Sequence, residues 1–153
     1  ELDFSFLMND QFYDIDMISI HNIQESNSNT ILKTVLNGQS KSVFDGMIKI
    51  MPNAQKTNAL LQTHSMLLSR NASSNNIPSL EIEADDVKAT HSATSFNLDE
   101  NQMFYLQSRG LDDKEAKEVI INGFLEGIIY MFPEEYHGLL SETLSNKLDS
   151  IKN

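Results

Sequence analysis

The first two-thirds of the chain, residues 1–98, is built from short segments in which hydrophobic and polar residues alternate. In SLEIEA, Leu80 and Ile82 share one face while Glu81 and Glu83 share the other. A period of two residues is typical of β-strands, whose successive side chains point to opposite faces. Segments that alternate in this way or are rich in β-branched residues are DMISIHNI, TILKTVL, GMIKIM, SLEIEA and VKATH.

Clusters of turn-forming residues separate these segments. They read QESNSN, LNGQSKS, MPNAQ, SRNASSNN and ADD, and their Asn, Ser, Gly and Asp residues tolerate turn conformations. Short strands divided by frequent turns are compatible with a β-sandwich, a β-barrel or a β-helix. The chain contains no exact short repeat that would choose among these three architectures.

The period changes near residue 98, and residues 99–153 are predicted to form a helical domain. Asp99 can cap a first helix, DENQMFYLQSR, which Gly110 ends. Asp112 and Glu115 resemble a capping box and begin a second helix that runs to about Phe132.

Pro133 suits the first turn of a third helix. An apolar stripe on this helix is formed by Leu140, Leu144, Leu148 and Ile151. Such a stripe either packs in the core or docks another protein, because terminal helices often lie at the surface.

Composition excludes several classes of function. The chain has 153 residues and a formal net charge of −11, which disfavours binding to nucleic acid and to anionic membranes. It has no cysteine, so this chain contains no disulfide, no thiolate metal ligand and no cysteine nucleophile. This composition is compatible with a cytoplasmic protein, which is the location that we expect.

The ends of the chain and its most apolar segment carry further information. The opening ELDFSF is acidic, unlike a signal peptide, and the absence of an initial Met suggests a fragment or a processed chain. The longest apolar-rich run, VIINGFLEGIIYMF at 119–132, is shorter than the roughly 20 residues that span a membrane. It is therefore predicted to be a buried helix.

Four acidic residues, Glu81, Glu83, Asp85 and Asp86, are candidates for acid/base chemistry. Side chains two residues apart on a strand are separated by about 7 Å, and paired carboxylates can hydrolyse glycosides. A carbohydrate-active β-helix enzyme is therefore one alternative. A solvated strand face is the other interpretation, since no interleaved aromatic residues mark a sugar-binding groove.

The four histidines, His21, His64, His91 and His137, are isolated from one another and show no local metal-ligand spacing. The chain also lacks the motifs GxxxxGK[ST], GxGxxG, HExxH and GxSxG. If ATP is used, a partner must bind it.

Four phrases that occur in order between residues 44 and 124 resemble the C-terminal core of the SufB/SufD family. They are FDGMIKIMPNAQKT, LLSRNASSNNIPSLEIEADDVKATHSAT, LDENQMFYLQSRGL and KEAKEVIINGF. Members of this family are scaffolds of the SUF iron–sulfur cluster assembly system. The resemblance implies a right-handed parallel β-helix, which mediates SufB–SufD pairing or self-pairing, followed by a helical domain that docks the ATPase SufC.

The resemblance also singles out His91, which matches a family histidine near the SufB–SufD interface that is proposed to take part in cluster assembly. His91 is therefore the candidate cofactor-binding and metal-binding residue, and a neutral imidazole is a suitable ligand for iron. No catalytic residue is predicted, and the partner-binding residues are expected among the helices of residues 99–153.

The chain departs from the SufB-type pattern at three places. The stretch RNASSNN before Pro78 has no cysteine, the sequence around the histidine is Thr90–His91–Ser92 where SufB-type chains tend to read Glu-His-Glu, and Ala89 stands where many members have cysteine. These differences make the chain resemble SufD more than SufB.

Together these observations predict a non-enzymatic scaffold subunit of a SUF-type complex. It would pair through the β-helix with a SufB-like chain or a second copy, dock a SufC-type ATPase through its C-terminal helices, and carry an iron–sulfur cluster only transiently. It would bind no nucleotide itself. The alternatives are the carbohydrate-active enzyme and a purely structural fragment that only oligomerises.

Overall fold

Strands of ten residues dominate the first part of the chain, and helices follow. The computed structural model describes residues 2–7 and 10–149. The strands are β1 Leu2–Leu7, β2 Phe12–His21, β3 Asn27–Leu36, β4 Lys41–Ile50, β5 Asn58–Leu67, β6 Ser73–Ile82 and β7 Lys88–Asn97. The helices are α1 Glu100–Ser108, α2 Asp113–Ile129 and α3 Glu134–Asp149. The predicted class, β followed by α, is confirmed.

Successive strands alternate between two sheets, in the orders β1-β3-β5-β7 and β2-β4-β6. The pairs β2–β4, β4–β6 and β3–β5 are parallel and in register. Phe12 pairs with Lys41, 29 positions later, and Lys41 pairs with Ser73, 32 positions later. The chain therefore returns to the same place about every 30 residues and stacks equivalent strands, an arrangement compatible with a parallel β-helix.

The predicted strands all overlap observed ones, but the sequence pattern missed β1 and also missed β5. Its inward-facing positions include Thr63 and Ser65 as well as Leu61, while Leu60 faces outward. This mixture hides the alternation of apolar and polar residues. The hydrogen bonds to β3 hold the segment as a strand nevertheless.

The predicted turn clusters were too long at three places. Residues Ser73–Asn76 of SRNASSNN lie in β6, and the last residues of QESNSN lie in β3. The cluster LNGQSKS begins with the last residue of β3 and ends with the first two residues of β4. The neighbouring coil explains the difference, because Ser73 donates its main-chain N–H to Ser40 O and continues the ladder with β4. Tertiary hydrogen bonding thus overrides the local turn preference.

The core lies between the two sheets and is formed by inward-facing side chains of successive coils. Its buried members are Leu32, Phe44, Ile48, Ile50, Ala54, Ala59, Leu61 and Ala84. Because equivalent residues stack in register, each coil buries the apolar row of the coil beneath it. Full burial of one such large side chain stabilises the fold by about 1.5–3 kcal/mol.

The ring of Phe44 packs against Gly46 in this core, in the space that a side chain at Gly46 would occupy. A Cβ built at Gly46 would lie 2.5 Å from Phe44 Cζ and 3.1 Å from Leu61 Cδ2. Both neighbours are almost fully buried, so neither can move freely. The absence of a side chain at this inward position is therefore required by packing.

A chain of hydrogen bonds fixes the turn between β2 and β3. His21 is 6% exposed, with Nδ1 2.8 Å from Ser26 Oγ and Nε2 2.9 Å from Ser28 Oγ. Thr57 donates its hydroxyl proton to Ala54 O, at 2.8 Å, so it must accept from Ser26 Oγ, which is 2.9 Å away. Ser26 in turn accepts from the ring, which assigns the proton to Nδ1 and leaves Nε2 to accept from Ser28.

The predicted helix caps at Asp99, Gly110 and Asp112 are confirmed, whereas α2 ends at Ile129, before the predicted Phe132, and α3 begins just after Pro133. The Asp99 side chain accepts from Asn101 N, and Gly110 follows the end of α1 with a φ of +99°. A capping box begins α2, in which Asp112 Oδ1 accepts from Glu115 N and Glu115 Oε2 accepts from Asp112 N, both at 2.8 Å. Each bond satisfies a main-chain group that a helix terminus leaves without an internal partner.

By its contacts the chain separates into two compact units. One contains Ser5–Phe96, and the other contains the residues from Asn97 onward. The interior of the second unit is built largely on α2, whose buried residues are Ala116, Ile121, Leu125, Ile128 and Ile129.

Replacing Gly46 with Ala is expected to lower the free energy of unfolding by about 1–3 kcal/mol, because the new methyl group overpacks a filled core. Urea denaturation followed by circular dichroism measures this. Gly138→Ala is the matched control: nothing lies within 4 Å of a Cβ at this position in α3, so it should raise stability by about 0.5–1 kcal/mol. A Gly46→Ala variant as stable as the wild type would contradict the packing argument.

Burial lowers the pKa of His21 below its usual value of 6.5. The unfolded chain therefore takes up the proton first as the pH falls, and the stability that depends on neutral His21 is lost from about pH 6.5 down to the lower folded pKa. His21→Gln should show a weaker fall of unfolding free energy between pH 7 and pH 5 than the wild type. Ring ¹⁵N shifts at pH 7 should show the Nδ1–H tautomer; an Nε2–H tautomer would contradict the assigned network.

Candidate functional site

The last rung of the coils is open. Strands β6 and β7 each stand at the end of their sheet, so one edge of each has no strand neighbour among residues 2–7 and 10–149. On β4 the inward-facing Ile50 is fully buried, whereas its register partner on β6, Ile82, is 43% exposed. The rung therefore presents unpaired main-chain groups together with the apolar end of the core.

His91 lies on this open rung, in β7. Alternation along the strand places it on the same face as Ala89, which packs against the core, yet His91 is exposed. Within the described part of the chain its imidazole makes no side-chain hydrogen bond or ion pair. Both ring nitrogens are therefore available to a group that approaches the rung.

The other three histidines are placed differently. The ring nitrogens of His21 are both engaged inside the coil, and His137 bonds Phe132 O at 2.7 Å. His64 is half-buried beside Lys33 on the outward face of β3 and β5, and burial, together with the Lys33 charge, lowers its pKa. His91 is the exposed histidine among the four.

His91 is not joined by further metal ligands from its own chain. Residues 2–7 and 10–149 contain no group of three or more His, Asp or Glu side chains able to hold a metal ion. Iron and zinc sites in proteins usually have four or more ligands. A metal at His91 would need further ligands from outside the described residues.

Two of the four acidic candidates, Glu81 and Glu83, form ion pairs with one lysine on the outward face of the other sheet. Lys49 Nζ lies 2.6 Å from Glu81 Oε1 and 3.9 Å from Glu83 Oε1. The hydrogen bond to Glu81 and its charge, with a smaller contribution from Glu83, raise the pKa of Lys49. Two carboxylates that share one lysine on an exposed face hold neighbouring strands together, which favours the structural interpretation of this cluster.

The main chain of Asp86 stabilises the turn before β7 through two hydrogen bonds. Its main-chain N–H donates to Gln55 Oε1 at 2.9 Å, and its carbonyl accepts from Lys56 N. Lys56 lies in the tight turn before β5 and has a positive φ of 58°. The hydrogen bond to the Asp86 carbonyl therefore connects this turn to the turn before β7. The structure gives Asp86 main-chain partners that explain its place without acid/base chemistry.

The helical unit carries an apolar groove between α1 and α2, with a volume of about 510 Å³. Its lining includes Tyr105, Leu106, Val119 and Ile120. Phe104, which precedes Tyr105 in the sequence, is 72% exposed. Exposed aromatic and branched side chains around a groove are typical of protein-binding surfaces.

The predicted stripe on α3 contributes mainly to packing. Leu144 and Leu148 are buried and Leu140 is half-buried, while Ile151 lies outside the described residues. The exposed apolar residues of α3 are Tyr136 and Leu139. On α1, Phe104 and Tyr105 are exposed as well. The expectation that partners bind among the helices of residues 99–153 stays a prediction.

Helices of the described chain are all too short or too polar to cross a membrane. This applies as well to α2, which contains the most apolar run of the sequence.

Comparison with known proteins gives a consistent result. Residues 2–124 match the family described as "SUF system FeS cluster assembly, SufBD core domain". The iron–sulfur cluster assembly protein SufD of Escherichia coli is 34% identical over 125 residues, which cover 82% of this chain and 29% of the relative. Protein ABCI7, chloroplastic, of Arabidopsis thaliana is 41% identical over 99 residues, covering 65% of this chain and 21% of the relative.

An iron–sulfur cluster assembly SufBD family protein of Mycobacterium bovis is 31% identical over 135 residues, covering 88% of this chain and 16% of the relative. The chain thus spans less than a third of the length of these relatives. The family match, residues 2–124, includes the coils, α1 and the first part of α2. The chain therefore belongs to the SufBD core domain family of the SUF system.

Proposed function

We propose that this chain is the core portion of a non-enzymatic scaffold subunit, closer to SufD than to SufB, in a SUF-type iron–sulfur cluster assembly complex. The observation that carries the proposal is the open rung with the unengaged His91, in a chain of the SufBD family. The names of the Escherichia coli and Mycobacterium bovis relatives, which refer to iron–sulfur cluster assembly, support it.

Pairing through the open rung is the first part of the proposal. Unpaired strand edges recruit another chain because their N–H and C=O groups need partners. The exposed Ile82 and half-buried Leu80 add apolar area that a partner would cover. The partner is a SufB-like chain or a second copy, and in this proposal the coil is right-handed, as the family resemblance implies.

His91 is proposed to bind iron or the nascent cluster at this junction. The cluster is cargo of the complex, so the remaining ligands come from the partner. This division of ligands agrees with two observations: the chain has no cysteine, and its described residues do not assemble a metal site around His91.

Docking of a SufC-type ATPase is assigned to the helical unit. The groove between α1 and α2 is largely apolar and lined by side chains that lose little conformational entropy on binding. The ATPase supplies nucleotide binding, for which this sequence has no motif. We expect this chain to be located where the complex assembles, and we expect that location to be the cytoplasm.

Tyr105→Ser and Val119→Lys, tested singly, are expected to weaken binding of the cognate SufC-type ATPase at least about tenfold, equivalent to about 1.4 kcal/mol. Isothermal titration calorimetry and size-exclusion co-migration measure this, and a chain ending at Asn97 should not bind. Tyr136→Ser on α3 is the matched control, since it removes an equally large exposed aromatic outside the groove. Loss of binding in the Tyr136 variant with normal binding in the groove variants would move the docking surface to α3.

His91→Ala is expected to leave folding and pairing unchanged, because an exposed side chain without partners contributes within about 0.5 kcal/mol to stability. It should sharply reduce the iron and acid-labile sulfide retained by the complex with the SufB-like partner. Ser92→Ala, at the adjacent exposed position, should retain both. Equal iron and sulfide in the His91 variant would leave the chain as an oligomerising structural subunit.

A further inference from the structure

The outward face of the sheet formed by β2, β4 and β6 exposes a patch of apolar side chains. Ile18 and Ile20, which follow each other on this face of β2, are 62% and 54% exposed. The register places half-buried Met47 of β4 beside Ile18. Ile77 of β6 is 45% exposed and is the register partner of Asp45, which precedes Met47 on this face. Neighbouring exposed apolar side chains on three strands are typical of an interaction surface.

Carboxylates without a cation border this patch. Asp14 and Asp16 precede Ile18 on the outward face of β2, and Asp45 is the register partner of Asp16. All three are exposed, and none of them forms an ion pair within residues 2–7 and 10–149. Like charges on neighbouring strands, about 4.8 Å apart, repel each other and destabilise a sheet. The pair of Asp16 and Asp45 therefore favours the approach of a positive charge.

The lysines of this face lie far from the Asp16–Asp45 pair. Lys41 and Lys49 each stand four residues from Asp45 along β4, which is about 13 Å of strand. Lys49 is also engaged, because its Nζ lies 2.6 Å from Glu81 Oε1. These three strands therefore supply no cation to the pair, and a partner could.

The dimensions of the face suit one helix. The axes of three neighbouring strands span about 10 Å, and an α-helix with its side chains has a diameter of about 10–12 Å. From Asp14 to Ile20 the face is about 20 Å long, a length that about 13 helical residues cover. A single amphipathic helix of about three to four turns is therefore large enough to cover the patch and its acidic border.

A second copy of this chain is a poor occupant of the face. Two copies packed face to face would bring the carboxylates of Asp14, Asp16 and Asp45 close to their equivalents. The chain as a whole has a formal net charge of −11, so no excess of positive charge compensates this repulsion. Charge complementarity therefore selects a basic partner.

We propose that this face docks an amphipathic helix of a partner protein. The helix packs apolar side chains on Ile18, Ile20 and Met47. It places an Arg or a Lys over the Asp16–Asp45 pair, and a guanidinium is the better group because its several N–H donors can bond both carboxylates. Neither the strand edges of the open rung nor the helical unit takes part, so this docking is independent of pairing and of ATPase binding.

The test is a fluorescence-anisotropy titration of this chain with three labelled synthetic peptides of equal length. The first is an amphipathic helix with Leu on one face and Arg on its flanks. The second has Glu in place of each Arg, and the third contains the residues of the first in an order that has no apolar face. The first peptide should bind at least about tenfold more tightly than either of the others.

Ile18→Ser and Asp45→Asn should each weaken binding of the first peptide at least about fivefold. Ile23→Ser and Asp85→Asn are the matched controls and should bind normally, because Ile23 is 71% exposed in the turn after β2 and Asp85 is exposed in the turn before β7. Asp45→Asn should also raise the midpoint of thermal unfolding, since it removes the repulsion from Asp16.

Equal binding of the first peptide and the reordered peptide overturns the proposal, and so does binding that both substitutions on the face leave unchanged. Size-exclusion chromatography of the chain alone tests the other occupant. A dimer that Ile18→Ser dissociates would assign the face to self-association and would also overturn the proposal. These outcomes are separate from those of the scaffold role, which are measured by ATPase binding and by retained iron and sulfide.

Discussion

The hydrogen-bonded ladder between equivalent strands of successive coils is the constraint on which the rest of the structure depends. Parallel pairing in register fixes which residue of one coil lies over which residue of the next. Apolar rows then bury one another, and a position such as Gly46 must stay empty for the ring of Phe44. Polar rows behave in the same way, which is why His21, Ser26 and Thr57 connect two coils.

A stack of coils has ends, and the chemistry of this chain is concentrated at one of them. The β6–β7 rung is the last of the stack, and one edge of each of its strands has no strand neighbour among the described residues. The consequence is a partly exposed apolar surface that carries the exposed His91. The scaffold proposal rests on this surface, because a chain paired with the rung would cover it.

The helical unit is determined by local caps and by helix packing, and the part of it that the structure describes contains no ladder between strands. Its boundaries are set by local capping at Asp99, Gly110 and Asp112, whereas its surface is set by which side chains α2 leaves uncovered. The apolar stripe on α3 is used mostly for packing, and α1, whose nine residues include no buried one, is the more exposed apolar element. Amphipathic patterning identifies the apolar residues of a helix, but the neighbouring helices determine which of them become buried.

The sequence by itself determined the β-then-α order, the helix caps at Asp99, Gly110 and Asp112, most strands and the family, because alternation, capping and characteristic phrases are local signals. The alternation pattern left three β architectures open and missed β1 and β5. It also assigned Ser73–Asn76 to a turn and left Glu81 and Glu83 as candidates for catalysis. Only the tertiary structure placed those serines and asparagines in a strand, joined the two glutamates to Lys49 and left His91 exposed. These outcomes depend on contacts between residues about 30 positions apart, and a pattern read along the chain contains no information about which coil will lie beside which.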